Sequence, residues 1–226
     1  MDGKIIIDED KEYVAGTYAR FPVAFKEGKG CRLYDYDDKE YVDFGSGIAV
    51  DIFGVNDGEW KSAVIEQLNK VQHTSNLFYT EPQARLARLM CEKTGAKKVF
   101  FGNSGAEANE CAIKAARKYG ELKHGAARKE IITLKNSFHG RTLATLAATG
   151  QEEFHKYYGP FPAGFVYADP TLEGVESCIT EDTCAVMIEC IQGESGVNVL
   201  DKSFVQGLGK LCRERDILLI CDEVQT

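Results

Sequence analysis

Hydrophobic and polar positions follow one rhythm in the first quarter of the chain and another in the rest. After a polar arm around Glu9–Thr17, read as helical, Cys31–Tyr36 and Glu40–Phe44 alternate about Asp37-Asp38-Lys39, which predicts a hairpin. Gly45, Gly47, Gly54 and Gly58 then mark irregular loops. From Gly58 the period turns helical, with Trp60, Val64, Leu68 and Val71 on one face. A second helix is predicted from Glu81, with Pro82 in its first turn, to a stop at Gly95. Beyond it, short apolar runs predict strands at Lys98–Phe101, Ile131–Leu134, Phe165–Ala168, Cys184–Ile191 and Ile217–Asp222. Helical patterns at Ser104–Tyr119, Arg141–Ala148, Leu172–Ile179 and Lys202–Asp216 separate them. Such alternation predicts an α/β domain, with a mostly parallel sheet and helices on both faces. Ligands of such sheets bind beyond the carboxyl ends of the strands, so those turns are where chemistry is sought.

Composition narrows the function classes. The 226 residues carry 27 Lys+Arg against 35 Asp+Glu, a net charge of −8. This acidic balance argues against nucleic acid as a partner, because displacing counterions from a polyanion needs a basic face. The strongest apolar run, Ile217–Cys221, is too short to span a bilayer. The amino terminus has neither a secretory apolar stretch nor an Arg/Ser-rich transit character, so a cytoplasmic location is expected. The 8 cysteines show no CxxC spacing and are read as reduced thiols, with no metal site.

Four turns hold the candidate chemistry. Gly102-Asn103-Ser104-Gly105-Ala106-Glu107 joins a predicted strand to a helix start, where free backbone N–H groups and the helix dipole suit a phosphate. Ser104 and Glu107 also read as an ordinary capping box, and the segment is neither a P-loop nor a GxGxxG fingerprint. The second turn offers a ring in Phe138, an imidazole in His139, a flexible Gly140 and a guanidinium in Arg141. Arg141 is suited to a carboxylate through paired hydrogen bonds, and a cation opening a helix is otherwise unfavourable. His139 reads as a packing or hydrogen-bonding residue more than as a general base. In the third, Glu194 sits between glycines in Gln192-Gly193-Glu194-Ser195-Gly196, which composition alone equally allows to be a plain turn. No GxSxG elbow supports a serine nucleophile. The fourth follows the apolar run and brings Asp222, Glu223, Val224 and Gln225. A carboxylate there needs a cation, and a protonated pyridine nitrogen suits it, although a structural ion pair would also serve. Phosphate, aromatic ring and protonated nitrogen together describe pyridoxal phosphate.

These residues resemble the class III (ornithine/acetylornithine-type) aminotransferases, which have the fold-type-I architecture of pyridoxal-phosphate enzymes. The resemblance runs through Thr17–Val23, Gly28–Val50, His73–Gln83 and, most specifically, Phe101–Lys118 with Asn103-Ser104-Gly105-Ala106-Glu107-Ala108-Asn109-Glu110 at its centre. It implies that Ser104, Gly105 and Ala106 hold the cofactor phosphate and that Phe138 stacks on the ring with His139 adjacent. It implies further that Arg141 grips the substrate α-carboxylate and that Glu194 pairs with an active-site arginine. Asp222 matches the partner of the ring nitrogen and Gln225 a hydrogen-bonder to the phenolic oxygen, with Val224 among the cofactor-binding residues. Asp222 and Glu194 are thus the candidate catalytic groups. Ser195, where glycine is usual, and Val55-Asn56-Asp57-Gly58, in place of a His/Pro-containing loop, depart from the pattern.

The resemblance implies transfer of an amino group from N2-acetyl-L-ornithine to 2-oxoglutarate, a step of arginine biosynthesis, by a homodimer. Ornithine, succinylornithine and 4-aminobutyrate are rival donors, and a non-catalytic binding remnant of the fold is the rival of another class. Residues 1–57 are expected to form an arm and hairpin segment of a small domain, and 58–226 an incomplete large, cofactor-binding domain. In the family, the lysine that forms the Schiff base lies beyond the position matched by Thr226. The chain is therefore expected to be an inactive fragment, with exposed apolar surface that favours association.

Overall fold

The computed structural model describes residues 2–125 and 128–226. The chain divides into two compact units, Met1–Lys93 and Thr94–Thr226; the compositional boundary at 57/58 falls inside the first.

Local signals account for the first unit. Helix α1 (Gly3–Tyr13) begins where the Asp2 carboxylate accepts the Lys4 N–H at 2.8 Å. The arm expected to be helical over Glu9–Thr17 is therefore helical earlier and stops at Tyr13, because the cap precedes it and Val14 is extended. Strands β1 (Phe25–Lys29), β2 (Arg32–Asp35) and β3 (Glu40–Val42) form an antiparallel meander; β1 was not predicted. The expected hairpin turn is held by Asp35 Oδ1, which accepts the N–H groups of Asp37 and Lys39, each at 2.9 Å. A single turn, α2 (Ser46–Ala49), runs with left-handed dihedrals at Gly47 and Ile48. Asp57 then caps α3 (Gly58–Leu68), and α4 (Glu81–Thr94) ends at Gly95, whose φ is +77°. No described side chain of this unit is fully buried.

The second unit has a parallel sheet of four strands in the order β5-β4-β6-β9: β4 (Glu130–Leu134), β5 (Phe165–Ala168), β6 (Thr183–Ile188) and β9 (Leu218–Cys221). Helix α5 (Gly105–His124) leads into β4, and α6 (Leu143–Ala148), α7 (Leu172–Cys178) and α8 (Lys202–Arg215) lie in the connections between the strands. Alternate strand residues feed two cores. Ile132, Leu134, Val186 and Ile188 pack with Val175 of α7 and with Phe204, Leu208 and Cys212 of α8. Ile131, Ala185 and Met187 pack with Ile113 and Ala116 of α5 and Ala148 of α6. A parallel sheet buried on both faces explains why these strands read as continuous apolar runs. Among the described residues, no helix is long and apolar enough to cross a membrane.

Two strand predictions need correction. No strand forms over Lys98–Phe101, where Phe100 is 64% exposed: no described segment pairs with this run, and extended chain without a partner has no ladder. The run predicted as Cys184–Ile191 breaks after Ile188. Its last residues turn away to form β7 (Ile191–Gln192), antiparallel to β8 (Asn198–Val199).

Candidate active site

Parallel pairing of β6 with β9 sets Ile188 opposite Cys221, so the next residues, Glu189 and Asp222, emerge side by side at the carboxyl end of the sheet. The Asp222 N–H donates to Ile188 O at 2.7 Å, which fixes its backbone. Asp222 is only 7% exposed. Its Oδ2 accepts from Asn109 Nδ2 at 2.7 Å and from His139 Nδ1 at 2.8 Å, and its Oδ1 from Val224 N at 3.0 Å. Burial pushes its acidity down, but the hydrogen bonds from His139, Val224 and Asn109 outweigh it, so the carboxyl pKa lies below its ordinary value. Glu189, 5% exposed, accepts from Phe138 N at 2.9 Å. There burial prevails and the pKa is raised.

Opposite lies the amino end of α5. Ser104 is its N-cap and accepts the Glu107 N–H at 3.2 Å, while the Glu107 carboxylate reaches back to Asn103 N. The capping reading is thus realised with Asn103 in the place of the cap's own N–H. The first-turn N–H groups of Gly105 and Ala106 have no helical acceptor and remain donors for a ligand. Gly140 closes the third side at φ +129°, where an added Cβ would lie 2.6 Å from Thr145 Oγ1 and 2.9 Å from Ala106 Cβ. That close approach demands glycine. His139 is buried beside it; its N–H donates to Thr149 Oγ1 at 3.0 Å, and its Nε2 meets no partner.

Gly105, Ala106, Phe138, His139, Glu194, Asp222, Val224 and Gln225 line one cavity of about 260 Å³. Ser104, the helix cap that precedes Gly105, does not itself line it. The Phe138 ring meets Phe154 edge-on at 5.6 Å, and the Arg141 guanidinium lies 5.8 Å from the Phe138 centroid, but Arg141 does not line the cavity. Glu194 is exposed and accepts from Gln151 Nε2 at 2.8 Å. Ser195 accepts from Asn198 Nδ2 through both O and Oγ, so its hydroxyl serves the turn. Asn109 and Glu189 also line the cavity, and both were missed. Glu189 carried the signal that singled out Asp222, a carboxylate after an apolar run, but was hidden by extending the strand to Ile191. Asn109 carried none beyond its position one turn from Ala106.

Comparison with known proteins converges on one family. The model for aminotransferase class-III matches residues 13–226. Acetylornithine aminotransferase of Haemophilus ducreyi is 53% identical over 96% of this chain and 56% of its own length. That of Wolinella succinogenes is 50% identical, with the same coverage of 96% and 56%. Among solved structures, the ornithine aminotransferase of Toxoplasma gondii matches with a TM-score of 0.94 at 30% identity, covering 100% of this chain and 54% of that one. The N-acetylornithine aminotransferase of Stenotrophomonas maltophilia matches at 0.79 and 35% identity, covering 97% and 54%. The chain spans about half the length of the relatives it matches.

Proposed function

This chain belongs to the class III aminotransferases, and we propose that the protein carrying it moves an amino group from N2-acetyl-L-ornithine to 2-oxoglutarate with pyridoxal phosphate. The observation that carries the reading is the buried Asp222 carboxylate, held by three donors and lining the same cavity as the amino end of α5 and the Phe138 ring. Acetylornithine as donor rests on the names of the relatives with 53% and 50% identity. Gly105 supports the cofactor fit: a Cβ there would come within 2.6 Å of Val224 Cγ1, on the same cavity, so a side chain would crowd the cradle.

In this reading the N–H groups of Ser104, Gly105 and Ala106 would hold the phosphate, and Phe138 would stack on the ring. The ionised Asp222 would favour a proton on the ring nitrogen, and Gln225 would donate to the phenolic oxygen. When bound, the cofactor supplies an electron sink and a carrier for the amino group. Arg141 orients the substrate by its α-carboxylate, and Glu194 adjusts the charge of the pocket as donor and acceptor exchange. Residues 1–57 contribute to a smaller domain and 58–226 to the cofactor domain of a cytoplasmic homodimer in arginine biosynthesis.

The test measures glutamate formation by the full-length protein from 2-oxoglutarate and each of N2-acetylornithine, ornithine, succinylornithine and 4-aminobutyrate. Acetylornithine is expected to give the highest kcat/KM; no transfer, or preference for another donor, rejects the proposal. Arg141→Ala should lower kcat/KM about tenfold or more while cofactor retention stays within about twofold.

A further inference from the structure

Asn109 stands one helical turn beyond Ala106 on α5, and i and i+3 positions share a helix face. Its side-chain amide nitrogen has two hydrogens and spends both: one on Asp222 Oδ2 at 2.7 Å, the other on His139 O at 2.8 Å. A flipped amide would set its oxygen against two acceptors, so its orientation is fixed by its partners. A carboxylate offers about four acceptor directions. Two on Asp222 Oδ2 are taken by Asn109 and His139, and one on Oδ1 by Val224 N, leaving one direction, on Oδ1.

We propose that Asn109 is the positioning residue for Asp222: its amide occupies Oδ2 and restrains the carboxylate so that the single open acceptor, on Oδ1, is presented to the ring nitrogen of the cofactor. The inference rests on pyridoxal phosphate being the ligand of this cavity. It also makes α5 a rigid spacer. The helix whose first turn would hold the phosphate restrains, one turn later, the acid that would hold the ring, and His139 is tied to the same amide through its backbone carbonyl. Without Asn109, His139 would be the one side-chain donor left on Oδ2, beside the Val224 N–H on Oδ1. With Asn109 present, two donors from different segments converge on one oxygen.

The experiment compares two ligands in the full-length apoprotein: pyridoxal phosphate, and its deaza analogue, in which CH replaces the ring nitrogen. Asn109→Leu removes both donors at similar volume. It should weaken pyridoxal phosphate about tenfold while changing the deaza analogue less than about twofold. Equal weakening of both would reduce Asn109 to a packing residue, and no weakening of either would remove any role; both results overturn the inference while leaving the cofactor reading intact. Failure of wild type to bind either ligand would reject the cofactor reading itself, and this inference with it. If the leucine variant does not fold, Asn109→Asp, isosteric but setting a second carboxyl against Asp222, takes its place. The same loss of discrimination between the two ligands is expected, and its absence is equally decisive.

Discussion

Glu189 and Asp222 leave neighbouring strands at the same level of the sheet, and both are almost fully buried, yet they are driven in opposite directions. Burial destabilises the charge of each. Asp222 more than recovers through two side-chain donors and the Val224 N–H, whereas the Phe138 and Gly193 N–H groups do not compensate Glu189. Depth within a fold therefore does not set the charge state of a carboxyl group; the number and kind of donors that tertiary structure aims at it does. The β9 end is built to keep a carboxylate, and at the β6 end burial raises the pKa of the acid.

The largest effect expected from breaking this contrast is that of Asp222→Ala. It strands the Asn109 amide and the His139 ring, and should cost about 3 kcal/mol in denaturant unfolding at neutral pH. Asp222 has a lowered folded pKa, so its contribution is present above the unfolded value of about 3.9 and fades as pH falls through the folded one. The alanine variant should lose that part of the acid dependence; an unchanged acid limb would refute the assignment. Next comes Gly140→Ala, which forces a Cβ into Thr145 and Ala106 at a φ unfavourable to alanine. We expect a loss of about 2 kcal/mol in the same assay, with a weaker His139–Asp222 contact visible as a shift of the His139 ring resonances.

Glu189→Gln gives the smallest change, and in the opposite sense. Glutamine keeps an acceptor for the Phe138 N–H and removes a poorly compensated charge, so stability at pH 7 should rise by about 1 kcal/mol. With a raised folded pKa, the favourable contribution of Glu189 is complete below the unfolded value of about 4.3 and is lost as pH rises through the folded value. The advantage of the variant should therefore grow with pH across that window. A constant difference, or a destabilised variant at pH 7, would place Glu189 with Asp222 instead of opposite it.

How legible these features were in the amino-acid order depends on the range of the interactions behind them. Asp35 with its turn amides, Asp57 capping α3, Ser104 capping α5 and Gly95 ending α4 act within a few residues, and the corresponding elements were predicted. The two sheet faces were legible because Ile131–Leu134 and Thr183–Ile188 are apolar apart from Thr133 and Thr183, as expected of strands covered on both sides. The failures share a cause. Whether Lys98–Phe101 becomes a strand depends on a neighbour, and the β6 run stops at Ile188, where its pairing with β9 ends at Cys221, a residue far away in sequence.

By itself, the order of residues determined the α/β alternation, the capped starts of α3 and α5 and the chemical types gathered in the turns, because propensity, capping and periodicity are short-range. Only tertiary structure decided that Asn109 and His139 would converge on one oxygen of Asp222, and that Glu189 would stand beside it with its acidity weakened. Those outcomes depend on burial and on donors brought from distant segments, and neither exists until the sheet and α5 have packed together.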